Sequence, residues 1–534
     1  MPPRYLLAFT AALAAAGCTG SQTPAARADN DAARRCSALI HTKINDTRLT
    51  KAEWSADGLV SGDRMTALTG SADKPLQVGA HCIVEGEIGA RTGTDGKPYG
   101  TKFQLRLPEN WNGKFLFQGG GGINGFVAPA IGGILGRSST ATPALPRGYA
   151  VVTMDGGHPT PNPEFGGDHQ ARLDFAYQSI GKVTAVAKNL IRQNYTAAPK
   201  HSYFMGCSNG GREAMLAAQR YPQEFDGVIA ANPGFRLSRA AVAEVWDTNQ
   251  FLKIAPKDAQ GNKILANALT QADLDKVRQA VLQRCDARDG LKDGVINAWE
   301  SCDFRIESAG LSRDKTAALK AVFDGAKTSR GEQIYSGWYY DTGIAEKGWR
   351  DWKLGDSQTA EPNARNITLG EGSLKWYFLT PPAPDMDLRR FNFDTDTPKT
   401  YATGKINDAT ATDMRAFAER GGKFIILTGI SDPVFSAKDQ RDWFRQMQRD
   451  TPNAEAFSRM FMVPGMTHCG GGQAFDNFDL LTALEQWHDE GRAPERLTAT
   501  GKAFPGRSMP LCAYPKTAVF KGGDAAKAES FACE

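Results

Sequence analysis

No stretch beyond the N-terminus reaches about 18 consecutive apolar residues, which excludes a membrane-spanning helix there. Neither sign of charge dominates. Lys and Arg number 63 against 59 Asp and Glu, a net charge of +4 with no basic block, and this removes any argument for nucleic acid as a partner. Histidine is scarce, at seven in 534 residues, so chemistry that needs an imidazole has few candidates. The glycine run 119–122 is not followed by Gly-Lys-Ser/Thr, which excludes a P-loop. What remains is an ordinary globular composition, 41% hydrophobic and 23% charged, in a chain long enough for a large core and more than one domain.

The N-terminus reads as an export signal over residues 1–28. Arg4 precedes an apolar segment, Tyr5 to Ala16, that is too short to cross a bilayer. Two processing readings stand: Ala15-Ala16-Gly17-Cys18 resembles a lipobox with Cys18 lipidated, and Ala26-Arg27-Ala28 is an A-x-A cleavage site. Either one places the mature chain outside the cytosol, at the cell surface, in the periplasm or secreted, where disulfides persist. With Cys18 assigned to the signal, eight of the nine cysteines remain, an even number that suggests four bridges. Closeness in sequence suggests Cys285–Cys302 and Cys512–Cys533, with Cys36–Cys82 a third. Cys207 and Cys469 are left, each beside a candidate catalytic residue.

Gly206-Cys207-Ser208-Asn209-Gly210 fits G-x-S-x-G, the nucleophile elbow of α/β-hydrolases. An apolar run from His201 precedes it and a helix, Arg212 to Arg220, follows. Glycines on both sides relieve crowding at a strained serine, and the helix N-terminus favours developing negative charge. Gln104–Pro108 and Lys114–Gln118 read as adjacent strands, the second running into Gly119-Gly120-Gly121-Gly122. In this fold the loop after that strand supplies one oxyanion donor, here assigned to Gly121, and the residue after the nucleophile supplies the other, Asn209. Further strands fall at Tyr149–Asp155, Val228–Ala231, Lys423–Gly429 and Arg459–Val463, and a helix runs from Phe175 to Tyr195. The alternation predicts an α/β fold, a mostly parallel sheet covered by helices.

From Phe235 the pattern changes to helical segments, aromatic clusters and acidic turns. The reading is an α/β-hydrolase core, residues 29–234 and 409–534, interrupted by a lid at 235–408, with residues 29–80 a strand-and-loop region. The lid holds Trp338, Trp349, Trp352, Trp376, Tyr377 and Phe378 among other aromatics. An aromatic-rich lid over such a site suits an aromatic substrate, touched by at least one of these rings.

A serine nucleophile needs a base in hydrogen-bond reach and a carboxylate to orient it, in the chain order Ser, Asp or Glu, His. Only His468 and His488 follow the elbow. His488 falls within a helix, Leu480–Glu490, whereas His468 lies in a loop after a strand, where the base belongs. Asp432 follows the preceding strand; Asp439, next nearest, falls inside a helix. A bridge between Cys207 and Cys469 would hold their Cα atoms about 5.5 Å apart and set nucleophile beside base; the alternative is a free buried thiol at Cys207.

The Cys-Ser … Asp … His-Cys arrangement resembles the tannase/feruloyl esterase family, which includes hydrolases of terephthalate monoesters. The resemblance runs from the loop at 119 to Cys512 and Cys533. It implies Ser208 as nucleophile, His468 as general base and acid, Asp432 as orienting carboxylate, a Cys207–Cys469 bridge, and Phe435 as a wall of the acyl pocket. Asn209 departs from the threonine or glutamate that follows the nucleophile in other members.

Cys285 to Ile296 sets Asp286, Asp289 and Asp293 in a glycine-containing loop. These are hard oxygens at the short spacing that suits Ca²⁺, which takes about 6–8 of them, though the closing glutamate of an EF-hand is missing. The resemblance adds the carbonyls of Leu291 and Val295 to a structural calcium site clamped by Cys285–Cys302, with no organic cofactor. The expectation is an exported, monomeric serine esterase acting on esters of aromatic acids. An aliphatic esterase or acyltransferase, and a non-catalytic surface-anchored binding protein, are the rival readings.

Overall fold

The computed structural model describes Met1 and residues 24–61 and 75–534. Cys18 lies outside these residues, and the Ala26–Ala28 site falls on the backbone of the first helix, α1 (Pro24–Ala38). The expected strand-and-loop region is thus helical at its start. The segment has no regular apolar stripe, and its helicity follows from alanine and arginine, both strong helix formers.

Nine strands form one sheet: β1 (Thr47–Ser55), β2 (His81–Thr92), β3 (Pro98–Pro108), β4 (Lys114–Gln118), β5 (Ala150–Met154), β6 (His201–Cys207), β7 (Gly227–Ala231), β8 (Lys423–Gly429) and β9 (Ser458–Val463). Their spatial order is β1-β2-β3-β5-β4-β6-β7-β8-β9. The first three strands and the β3–β5 pair are antiparallel, and every pairing from β5 to β9 is parallel. β3 and β4 are therefore not neighbours, contrary to the sequence expectation. β5, buried along its whole length, inserts between them and pairs on both edges. Its continuous apolar run suits the interior of a two-sided sheet.

Successive side chains point to opposite faces. Phe204 packs in one core with Phe117, stacked at 4.6 Å, while Tyr203 and Met205 pack in the other with Leu116 and Ile425. Helices α2 (Ser179–Tyr195), α3 (Asn209–Arg220), α4 (Leu237–Ile254), α5 (Gln271–Cys285), α6 (Lys347–Lys353), α7 (Ala437–Asp450) and α8 (Leu480–Glu490) flank and extend the sheet. The expected helix from Phe175 begins earlier, at His169, and carries a π turn over Asp174–Gln178 before α2.

β7 and β8 pair side by side although residues 232–422 separate them, and among the described residues no strand of the sheet falls in that interval. Many of its aromatics pack on one another, as in the Phe323–Tyr340 stack at 4.0 Å and Trp246 against Phe393. Among the described residues there are four disulfides: Cys36–Cys82, Cys207–Cys469, Cys285–Cys302 and Cys512–Cys533. Among the described residues no helix is long and apolar enough to cross a membrane.

Candidate active site

The centre is the turn between β6 and α3. Ser208 adopts φ 65° and ψ −125°, a conformation rarely taken by a side-chain-bearing residue, so its neighbours must be small. A Cβ on Gly206 would come within 2.5 Å of the Gly210 backbone, and one on Gly210 within 2.5 Å of the Gly120 carbonyl oxygen. The two glycines thus let the elbow close and let the glycine-rich loop lie directly against α3.

His468 and Asp432 arrive from loops after β9 and β8. His468 Nε2 lies 2.9 Å from Ser208 Oγ, and its Nδ1 lies 2.8 Å from Asp432 Oδ2. Asp432 is 2% exposed, and its remaining acceptor capacity is filled: Asn232 Nδ2 donates to Oδ2 at 2.6 Å, and the amides of Val434 and Phe435 donate to Oδ1. Three donors besides the imidazole hold the carboxylate on one side of the ring. This arrangement fixes the tautomer with Nδ1 protonated and leaves Nε2 free to accept the serine proton. The rings of Trp352 and Phe435 pack edge-on against His468, with centroids at 5.4 and 5.3 Å. The Cys207–Cys469 bridge, with Cα atoms 6.0 Å apart, ties the residue before Ser208 to the residue after His468. Asp439 sits on α7, paired with Arg236 at 3.1 Å, and His488 lies beside Asp489, both outside this centre.

Within the glycine run the Gly119 amide donates to Met205 O and the Gly120 amide to Glu213. Among the described residues the amides of Gly121 and Gly122 have no protein acceptor. Gly121 is buried, its carbonyl accepting from the Asn124 amide, whereas Gly122 lines the pocket beside Ser208 and Asn209. The Asn209 amide opens α3, where helix geometry leaves it without an intrahelical partner.

Sequence reasoning missed Glu213. It lies one turn into α3, is 1% exposed, and accepts from the Gly120 amide at 2.8 Å, Asn124 Nδ2 at 3.1 Å and Asn209 Nδ2 at 3.0 Å. Burial pushes its carboxyl up, and the three donors with Arg212 act against that shift. Arg212, itself fully buried, closes the network by donating to Asn209 Oδ1 at 2.7 Å. The Asn209 side chain is thereby turned into this network, and the loop is latched to the nucleophile helix. The expected result for Glu213→Ala is a loss of about 2–3 kcal/mol in stability, because buried donors lose their acceptor. A roughly tenfold or larger fall in kcat with a smaller change in KM should accompany it, read by denaturant titration and steady-state kinetics.

Phe435 lines the pocket over Ser208, as the sequence resemblance implies. Trp352 and Phe378, from the segment between β7 and β8, form aromatic walls, and Leu237, Ala241 and Glu244 contribute one face of α4.

The acidic loop after α5 lies elsewhere. Asp289 is 1% exposed and its carboxyl is raised to about 6 by burial; it accepts from the Asn297 amide and Nδ2 and from the Leu291 amide. Asp286 accepts from the Asp293 and Gly294 amides, and Asp293 pairs with Arg507. Among the described residues the carbonyls of Leu291 and Val295 accept no hydrogen bond, although Val295 is 2% exposed. Three carboxylates and two unused carbonyls on one loop are oxygen donors of the kind a hard cation takes. Among the described residues, the ligand atoms of His201, His488 and Asp489 form the one trio of metal-binding side chains within 4.8 Å of one another. The three aspartates stand farther apart, with Asp293 drawn aside by Arg507.

A mostly parallel sheet with a strained serine at one strand's C-terminal end, and a histidine and an acid delivered by the following strands, defines an α/β-hydrolase. The chain belongs to the tannase and feruloyl esterase family, whose model matches residues 82–534. It is a carboxylic ester hydrolase. It is 37% identical over 513 residues to the mono(2-hydroxyethyl) terephthalate hydrolase of Piscinibacter sakaiensis, covering 85% of this chain and 84% of that protein. It is 26% identical to a probable feruloyl esterase of Arthroderma benhamiae, covering 80% and 81% of the two chains. The fold is shared with the crystal structure of feruloyl esterase B from Aspergillus oryzae, with a TM-score of 0.77 at 20% identity, covering 94% of this chain and all of that one.

Proposed function

We propose that this enzyme hydrolyses esters of aromatic carboxylic acids through an acyl-enzyme formed on Ser208. The observation that carries the reading is the continuous hydrogen-bonded line Ser208–His468–Asp432 opening into a pocket walled by Trp352, Phe378 and Phe435. Ser208 Oγ attacks the ester carbonyl as His468 Nε2 takes its proton. The amide of Asn209 and an amide of the Gly121–Gly122 turn hold the oxyanion. His468 then protonates the departing alcohol, and water activated by the same imidazole releases the acid. Relatives named for feruloyl and terephthalate esters support an aromatic acyl group.

Initial rates on methyl ferulate, methyl gallate, mono(2-hydroxyethyl) terephthalate and 4-nitrophenyl butyrate test the proposal. The expected result is a clear preference for an aromatic acid. Turnover of the butyrate alone would keep the triad and discard the aromatic pocket.

The reading also assigns residues 235–408 as a lid carrying Trp352 and Phe378, and a structural Ca²⁺ to Asp286, Asp289, Asp293 and the carbonyls of Leu291 and Val295. Burial of Asp289 and the two unused carbonyls support the ion. Bound there, it would offset the mutual repulsion of the aspartates and brace the loop that Cys285–Cys302 closes. Chelation should lower the melting temperature by about 3 °C or more, and added Ca²⁺ should restore it. In Asp289→Ala no calcium-dependent shift should remain, while kcat stays within about twofold in both proteins because no residue of the loop lines the pocket over Ser208. Four disulfides support export to an oxidising compartment, with Cys18 as a lipid anchor or the Ala26–Ala28 site as the point of release.

A further inference from the structure

The pocket holds one acidic side chain that the reaction does not use. Leu237, Ala241 and Glu244 recur at helical spacing along the face of α4 that lines it. The stripe has a direction. The Gly234 amide donates to Ser208 O at 3.1 Å, so α4 starts beside the nucleophile and runs away from it. Seven residues of helix separate Leu237 from Glu244, a rise of roughly 10 Å. Glu244 therefore lines the same pocket about two helical turns along α4 from the end that starts beside Ser208.

Its environment is unusual for a carboxyl. Glu244 is 6% exposed, and among the described residues its carboxyl makes no hydrogen bond or ion pair. The nearest cation, Lys353, is held by Asp247 in a buried pair one turn further along α4. No Lys or Arg lines the pocket. Space for the carboxyl is provided by Gly370, which also lines the pocket and where a Cβ would fall 1.7 Å from Glu244 Oε2. Apart from Ser208, Asn209 and Glu244, the polar side chains of the lining are Ser373 and Trp352, whose buried indole N–H has no partner among the described residues. A carboxyl in so apolar a pocket is costly unless water or a ligand supplies a donor.

We propose that Glu244 accepts a hydrogen bond from a ring hydroxyl of the acyl group, making this pocket selective for esters of 4-hydroxylated aromatic acids over esters that carry a second carboxylate. The proposal rests on the aromatic-ester reading above. The separation along α4 matches an elongated hydroxycinnamoyl group, with its carbonyl at Ser208 and its phenol at Glu244. A terephthalate monoester would bring a second carboxylate to the same place with no cation to meet it, leaving two carboxyl groups to share one proton. Burial already raises the Glu244 carboxyl to about 8, so its own charge is disfavoured there. In the neutral or the ionised state it still offers an acceptor oxygen to a phenol.

The test is the ratio of kcat/KM for methyl 4-hydroxycinnamate to that for methyl 4-methoxycinnamate, with mono(2-hydroxyethyl) terephthalate as a third substrate, in the full chain. The wild type should favour the hydroxy over the methoxy ester by about tenfold or more and the terephthalate monoester least. Glu244→Ala should bring the first ratio to within about threefold of unity, and Glu244→Gln, which keeps one acceptor oxygen, should retain part of it. Ratios within one protein cancel general losses of activity. Should Glu244→Ala not fold, Gly370→Ala, which displaces the carboxyl, should move the ratio in the same direction. A wild-type ratio near one, a wild-type preference for the terephthalate monoester, or a ratio unchanged in a folded Glu244 variant overturns the proposal. Failure of the underlying reading looks different: the wild type would turn over none of the aromatic esters and Ser208 would not react with an organophosphonate.

Discussion

Ser208→Ala should lower kcat by about 10⁴-fold or more on every ester the wild type cleaves, with little change in KM or melting temperature. The alanine removes the only atom that attacks the carbonyl, and it leaves the amides of Asn209 and the Gly121–Gly122 turn in place. Some acceleration over water should therefore survive. The elbow should keep its shape, because its strain at φ 65° is held by the backbone: the Ser208 amide donates to Ala231 O and its carbonyl accepts from Gly234. The triad acts as one unit, so the double variant Ser208→Ala/His468→Ala should be no slower than Ser208→Ala alone. Steady-state rates on purified protein, with organophosphonate labelling as a second readout, check both statements. Full activity in Ser208→Ala would move the nucleophile elsewhere.

Removing the Cys207–Cys469 bridge should damage both stability and catalysis. The bridge closes a separation of 262 residues, and on the chain-entropy account a loop of that length contributes up to about 5 kcal/mol. It also acts locally. Cys469 holds φ 58°, an unfavourable region for a residue with a side chain, directly after the base, and Ser208 holds φ 65° directly after Cys207. Without the bridge, the 468–470 loop can relax toward ordinary backbone angles and carry His468 away from Ser208. A displacement on the order of 1 Å is enough to cost about 10²-fold in rate. Cys207→Ala/Cys469→Ala should therefore lose roughly that much in kcat and melt well below the wild type. Cys512→Ala/Cys533→Ala, which opens a separation of only 21 residues and flanks no triad residue in the chain, should lower the melting temperature and leave kcat nearly unchanged. Equal kcat in the two double variants would reduce the Cys207–Cys469 bridge to a staple without a catalytic part.

Much of the site could be read from local pattern. The elbow announced itself because a strained strand-to-helix turn demands glycines at fixed offsets, and those offsets are visible in Gly206 and Gly210. His468 and Asp432 could be proposed because they occupy loops after recognisable strands, and because only one other histidine follows Ser208. Cys207 and Cys469 were left together once nearer pairings had been made. The Ala-rich start of α1 was missed because propensity without an apolar stripe carries little periodic signal. Glu213 and Glu244 were missed because a glutamate in a helix reads as a solvated face unless its neighbours in space are known.

The sequence by itself determined the class of chemistry. The elbow depends on residues a few positions apart, whose spacing local backbone geometry imposes, while the chain order of acid and base and the even set of cysteines are read by order and count along the whole chain. Tertiary structure alone decided that β5 separates β3 from β4, that Gly122 lines the pocket while Gly121 lies buried, that Glu213 latches the glycine loop to α3, and that Gly370 leaves room for the Glu244 carboxyl. Each of these joins residues from separate elements of the chain. Such contacts are settled by how whole elements pack and by which polar groups lose water when they do, and neither quantity is encoded in any short run of residues.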